Sequence, residues 1–112
     1  MAGIVERVTT PLDERELSAV FAALGNPARL AIMHWLKDPS DFPPQSAPAE
    51  EVGVCLKHIQ SRAGVSQSTA SQYMAVLHRA NLVTPTKIGP WVHYKRNDEC
   101  IARLAETIQI HL

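Results

Sequence analysis

Val65-Ser66-Gln67-Ser68-Thr69-Ala70-Ser71-Gln72-Tyr73-Met74-Ala75-Val76-Leu77-His78-Arg79-Ala80-Asn81-Leu82-Val83 runs on into Thr84-Pro85-Thr86-Lys87-Ile88-Gly89-Pro90-Trp91-Val92-His93-Tyr94-Lys95-Arg96, and this stretch decides the fold. Its first half predicts a helix capped by Ser66. Met74 and Leu77 turn to a core, and hydroxyl and amide side chains occupy the outer face. The second half predicts two strands, Leu82 to Lys87 and Trp91 to Arg96, joined at Gly89-Pro90. Alternation puts Val92 and Tyr94 on one side and Trp91, His93 and Lys95 on the other. From Val52 to Asn97 there is no Asp or Glu, while Lys57, Arg62, Arg79, Lys87, Lys95 and Arg96 are basic. A polar helix beside a basic hairpin suits a surface that meets a polyanion and reads base edges. The competing reading is an ordinary amphipathic helix and hairpin with a solvated charge imbalance.

Outward from this stretch the punctuation is clear. Thr10-Pro11-Leu12-Asp13 offers an N-cap, a proline at the first helical position and a first-turn acid. Leu17, Val20, Phe21 and Leu24 then share a face, and Gly25 stops that helix. Asn26-Pro27 opens the next, which runs to about Lys37 with Leu30, Met33 and Leu36 inward. Residues 39–50 hold four prolines and predict a loop without a helix, with Phe42 inside it. A third helix is expected over about Val54 to Ala63, stopping at Gly64. Asn97 caps a last helix, with Asp98 and Glu99 in its first turn and Ile101, Leu104, Ala105, Ile108 and Leu112 as its inward stripe.

The expected fold is mainly α with a small β-hairpin, in the order α-α-α-α-β-β-α. Third helix, tight turn at Gly64-Val65 and polar-faced helix form a helix-turn-helix, and the hairpin makes it winged. Residues 1–11 read as an N-terminal extension and 12–112 as one winged helix-turn-helix domain for DNA binding and dimerisation. The terminal helices carry more apolar surface than one small core needs, which predicts a homodimer through Leu17, Phe21, Ile101, Leu104 and Ile108.

A length of 112 residues suits one domain, and an apolar content of 46% supports a packed core. The net charge of zero conceals segregation: residues 1–51 carry eight acidic and four basic side chains, whereas 52–97 carry six basic and none acidic. No apolar run is long enough to span a bilayer and the N-terminus lacks a signal-peptide core, so no membrane association is expected. Two cysteines 45 positions apart do not form a disulfide framework, which predicts a reduced, cytoplasmic chain.

Ala22-Ala23-Leu24-Gly25-Asn26-Pro27-Ala28-Arg29-Leu30-Ala31-Ile32 resembles the opening helices of the ArsR/SmtB family of bacterial transcriptional repressors. Ala63-Gly64-Val65-Ser66-Gln67-Ser68-Thr69-Ala70-Ser71-Gln72 resembles that family's recognition-helix start, and Leu77 to Val83 its continuation into the wing. The resemblance covers about residues 12–112, apart from a longer proline-rich loop. It implies a homodimer that binds an imperfect palindrome in double-stranded DNA at a promoter and lets go when an effector binds. Ser66, Gln67, Ser68, Thr69, Ser71, Gln72 and Tyr73 are the candidate recognition-helix contacts, with Gln suited to adenine and Ser to several bases. Thr69 and Tyr73 could equally bond phosphates. Lys87, Lys95 and Arg96 are the candidate wing and strand contacts.

The family's third-helix metal site is a Cys-x-Cys pair followed by Asp. Here the matching residues are Cys55-Leu56-Lys57-His58, so the second thiolate is an amine and the acid an imidazole. An ammonium repels a cation, and arsenite wants three thiolates. A second family site spans the paired last helices, and Asp98, Cys100 and His111 fall at its first three spacings. They are candidate metal ligands; equally, they read as a first-turn acid, a small buried residue and a helix-end histidine. Cys55, with Lys57 and His58 beside it at a helix start, is the candidate regulatory thiol. A small-molecule or redox effector is compatible with all this, and no cofactor is required.

The rival function is a winged-helix protein-interaction module without DNA binding. Glycine-rich phosphate loops, nucleophile elbows and paired carboxylates do not occur, so no enzymatic activity is expected.

Overall fold

The computed structural model describes residues 10–112. The elements run α1 (Glu14–Leu24), α2 (Pro27–Lys37), α3 (Ala49–Val52), β1 (Val54–Cys55), α4 (Leu56–Ala63), α5 (Gln67–Arg79), β2 (Val83–Ile88), β3 (Trp91–Arg96) and α6 (Asp98–His111). The expected order therefore holds for the long helices and the hairpin, with a short helix and a third strand added. The sheet is antiparallel in the order β1-β3-β2.

Helix α1 starts three residues later than the Thr10-Pro11 pair predicts. Asp13 is its N-cap: the carboxylate accepts the Glu16 N–H at 2.8 Å, and Glu16 Oε1 accepts the Asp13 N–H at 3.0 Å. This reciprocal capping box satisfies two free N–H groups that Thr10 could not reach from its place. Residues 10–12 are instead held against α6. The Leu12 N–H donates to Thr107 Oγ1 at 2.8 Å, and Arg103 Nε donates to the Thr10 carbonyl at 2.7 Å. Part of the expected extension is thus tied to the domain, while residues 1–9 lie outside the described residues. Asn26 caps α2 as expected, accepting the Arg29 N–H at 3.1 Å. Arg29 Nε in turn donates to the Ala23 carbonyl at 2.7 Å, closing the C-terminal end of α1.

Val20, Ala23, Ile32, Met33, Leu36, Val54, Ile59, Ala70, Met74, Leu77, Leu82, Val83, Cys100 and Leu104 form the core. Several expected inward residues do not join it. Phe21 is 42% and Leu30 54% exposed, because Val20 with Ala23, and Ile32 with Met33, already fill the faces of α1 and α2 toward α5. On α6 the buried set is Cys100, Leu104 and Thr107, about 100° round the helix from the expected stripe; Ala105, Ile108 and Leu112 are exposed.

The proline-rich segment is more structured than expected. Pro39–Asp41 forms a 3₁₀ turn capped by Asp38, and Phe42 is buried edge-on against Trp35 with ring centroids 6.4 Å apart. The Arg62 guanidinium lies over both rings, 4.6 Å from Trp35 and 5.1 Å from Phe42. The Gln45 amide donates to the Gly53 carbonyl at 2.8 Å and accepts the Cys55 N–H at 3.1 Å. It thereby does for the outer edge of β1 what another strand would do. Because Val54 and Cys55 pair with Tyr94 and His93, the third long helix begins at Leu56 rather than Val54. Gly53, at φ +91°, passes so close to the Tyr94 carbonyl that any Cβ would overlap it.

Candidate nucleic-acid interface

The α4–α5 junction fixes how α5 is presented. Gly64 ends α4 at φ +67°, its N–H shared between the Gln60 carbonyl at 3.0 Å and the Ser61 carbonyl at 3.2 Å. Val65 is partly buried against the core, and Ser66 then caps α5. Its hydroxyl accepts the Thr69 N–H at 3.1 Å and donates to Thr69 Oγ1 at 3.0 Å. Ala70, Met74 and Leu77 on the opposite face are fully buried, which fixes the rotation of α5. Gln67, Ser68, Ser71 and Gln72 are consequently exposed on one side of its first two turns. Thr69 and Tyr73 are half-buried at the edge of that face; Tyr73 packs against the core and the Thr69 hydroxyl is engaged by Ser66.

Strands β2 and β3 pair from Val83 with Arg96 to Ile88 with Trp91, closing over a turn at Gly89-Pro90. Lys87 is exposed next to the tip and Lys95 exposed opposite Thr84. Arg96 is separated from them. It sits at the base of the hairpin, and its Nε binds Asp98 Oδ1 at 2.7 Å. Its guanidinium is thus engaged by the start of α6, apart from Lys87 and Lys95. His93 is buried at 5% exposure beneath the sheet rather than facing out with Trp91 and Lys95. It lies opposite Cys55 in the β1–β3 register. Nδ1 of His93 and Nδ1 of His58 are both buried without a hydrogen-bond partner. Burial, with Lys57 and His93 nearby, holds the His58 pKa below its ordinary value.

The sensing candidates are not brought together within one protomer. Asp98 is paired to Arg96, Cys100 is buried at 1% exposure, and His111 lies at the far end of α6. Thirteen residues of helix put roughly 20 Å between Asp98 and His111. Burial raises the Cys100 thiol pKa, with a smaller upward contribution from nearby carboxylates opposed by Arg103. Among the described residues no group of three or more His, Cys, Asp or Glu side chains is placed to hold a metal ion. Cys55 occupies the N-cap position of α4 but is buried at 5% exposure and makes no side-chain capping bond. The candidate regulatory thiol is thus enclosed by the strand pairing that sequence reasoning did not foresee.

Of the dimer-face candidates, Phe21 and Ile108 are exposed, Leu17 and Ile101 half-buried, and Leu104 buried in the core of its own protomer. Ile110 at 45% and Leu112 at 80% exposure extend the apolar surface of α6.

One residue beside the recognition face was missed. Lys57 Nζ lies 5.1 Å from the centroid of the exposed Trp91 ring, bridging the start of α4 to the wing. Its basic character in an acid-free segment was the only available signal, since nothing local brings positions 57 and 91 together.

A helix-turn-helix with an exposed, acid-free polar helix and an adjoining wing defines a DNA-binding transcriptional regulator. Sequence relatives agree. The chain is 39% identical over 95 residues to the HTH-type transcriptional regulator YbzH of Bacillus subtilis strain 168, itself uncharacterised, covering 83% of this chain and 95% of that one. It is 33% identical over 76 residues to the proposed arsenical resistance operon repressor ArsR2 of Halobacterium salinarum, covering 68% of this chain and 55% of that one. The fold matches the homodimeric winged helix-turn-helix DNA-binding domain of Mb0332 from Mycobacterium bovis, a possible ArsR-family regulator. There the TM-score is 0.60 at 22% identity, with 91% of this chain and 88% of that one covered. No family model matches the chain. The chain belongs to the ArsR/SmtB family of winged helix-turn-helix transcriptional regulators. Its relatives are regulators rather than enzymes, and among the described residues no helix is long and apolar enough to cross a membrane.

Proposed function

We propose that this chain is a homodimeric repressor that binds an imperfect palindrome at a promoter and is displaced by an effector. The observation that carries the reading is the rotation of α5: burial of Ala70, Met74 and Leu77 leaves Gln67, Ser68, Ser71 and Gln72 facing outward in a region without acidic side chains. The N-terminal turns of a recognition helix meet base edges, and amide side chains can bond adenine through two atoms. Lys87 and Lys95 supply phosphate contacts from the wing.

The dimer face joins α1 and α6 through Phe21, Ile101 and Ile108, with Leu17 at its margin; these are apolar positions that one protomer leaves uncovered or half-covered. Two-fold symmetry then presents two copies of α5 to two half-sites. The homodimeric state of the Mycobacterium bovis domain supports this arrangement. The reading requires no cofactor, and an organic effector fits it better than a metal, since Lys57 replaces a thiolate and Cys100 lies in the core. Selection of bound duplexes from random sequence, followed by titration of the winner at several salt concentrations, tests the proposal. A palindromic winner with steep salt dependence is expected. Equal binding to all duplexes would overturn the sequence-specific reading, and no binding would favour the protein-interaction module.

A further inference from the structure

Lys57, Gln60, Gln67, Pro90 and Trp91 surround a cleft of about 180 Å³ where α4, the start of α5 and the tip of the wing converge. Three separate elements thus meet at one opening. The only charged side chain among these five residues is Lys57, and it is held in place. Its ammonium lies 5.1 Å from the Trp91 ring centroid, while Trp91 itself remains 53% exposed. A cation over an aromatic face keeps its outward N–H donors free, and the contact narrows the wandering of a long, flexible side chain. Gln67 is exposed on the first turn of α5 and Gln60 half-buried on α4, so two amides border the same opening.

We propose that this cleft seats a backbone phosphate of the DNA, with Lys57 as the charged contact and Trp91 as the residue that positions it. The inference rests on the DNA-binding reading and adds to it a contact joining the wing to the helix-turn-helix. An ammonium is suited to a phosphodiester as a point charge with several donors. Gln67 belongs both to this cleft and to the exposed α5 face that carries Ser68, Ser71 and Gln72, so the cleft adjoins the recognition face. The tip of the wing, Gly89-Pro90-Trp91, has no cation of its own and takes its charge from α4 across the ring.

The test uses the full chain with two duplexes, one selected from random sequence by the wild-type protein and one unselected. Lys57→Gln is expected to lower the slope of log affinity against log salt by about one unit on both duplexes and to leave sequence preference unchanged. Trp91→Leu is expected to weaken both duplexes alike, and Trp91→Phe to restore most of the loss, because a phenyl face still holds the cation. In a Trp35→Phe background Trp91 is the one remaining tryptophan, and its emission is expected to change in step with duplex binding. An unchanged salt slope in Lys57→Gln, alongside a lowered slope in Lys87→Ala, would overturn the phosphate seat while leaving the DNA reading intact. Wild-type protein that binds neither duplex would overturn the DNA reading itself.

Discussion

Two adjacent residues of α6 are expected to separate folding from dimerisation. Thr107 is fully buried and Ile108 is 39% exposed. Complete burial of an isoleucine contributes about 1.5–3 kcal/mol, so covering the exposed part of Ile108 contributes roughly 1 kcal/mol per copy. A two-fold interface counts it twice, and about 2 kcal/mol corresponds to roughly a thirtyfold change in dissociation constant. Ile108→Asp should exceed that, since it also places a carboxylate without a partner in the interface. Its cost to the isolated protomer should be small, because the position already faces water. Thr107→Val should do the opposite. The hydroxyl donates to the Arg103 carbonyl at 2.6 Å and accepts the Leu12 N–H at 2.8 Å. Valine leaves that N–H unpaired in the interior, at about 1–3 kcal/mol, which lowers the melting temperature on the order of 5–10 °C. Sedimentation velocity through the micromolar range reads the first effect, and circular-dichroism melts at fixed protein concentration read the second. A dimer of undiminished affinity in Ile108→Asp, or a wild-type chain that is monomeric at micromolar concentration, would refute the assignment of the α1–α6 face.

Gln72→Ala is expected to relax base preference by about 1–3 kcal/mol of discrimination, while Lys87→Ala weakens all duplexes alike and lowers the salt slope by about one; competition binding with selected and random duplexes distinguishes them. Because the folded protein holds His58 below the ordinary histidine value of 6.5, the unfolded chain takes up the proton first, and stability should fall as pH drops through 6.5 until the folded imidazole also protonates. Urea unfolding across that range should show a weaker pH dependence in His58→Gln. Arsenite and cadmium are expected not to release DNA through Cys55, whose would-be thiolate partner is Lys57. Stoichiometric arsenite binding that disappears in Cys55→Ser and survives Cys100→Ser would contradict this.

The parts of the fold legible from sequence are those set by local chemistry. Ser66 beside Gly64-Val65, Asn26 before Pro27 and Asn97 before Asp98 each mark a helix end whose hydrogen bonds close within a few residues, and all three caps form as read. The misplacements depend on distant partners. Thr10-Pro11 satisfies the local rule for a helix start, yet Thr107 and Arg103, more than ninety positions away, hold that strand of chain extended against α6. The four prolines of 39–50 do exclude a long helix, but Phe42 packs on Trp35 and Gln45 covers the edge of β1, neither of which periodicity can reveal. On α6 the core-facing set Cys100, Leu104 and Thr107 and the uncovered apolar residues Ala105, Ile108 and Leu112 lie on adjoining arcs of one helix, which periodicity alone does not separate.

The same distinction explains the region from Cys55 to His58, where the resemblance to the family's sensing site is closest and the chemistry most different. Sequence alone shows a lone thiol followed by an amine and an imidazole. The structure assigns each a separate environment: Cys55 is enclosed by the pairing of β1 with β3, Lys57 projects to Trp91, and His58 turns its Nδ1 inward near the buried His93. Among the described residues, Cys55 and His58 belong to no group of three or more His, Cys, Asp or Glu side chains placed to hold a metal ion. All three side chains do, however, connect the start of α4 to the hairpin.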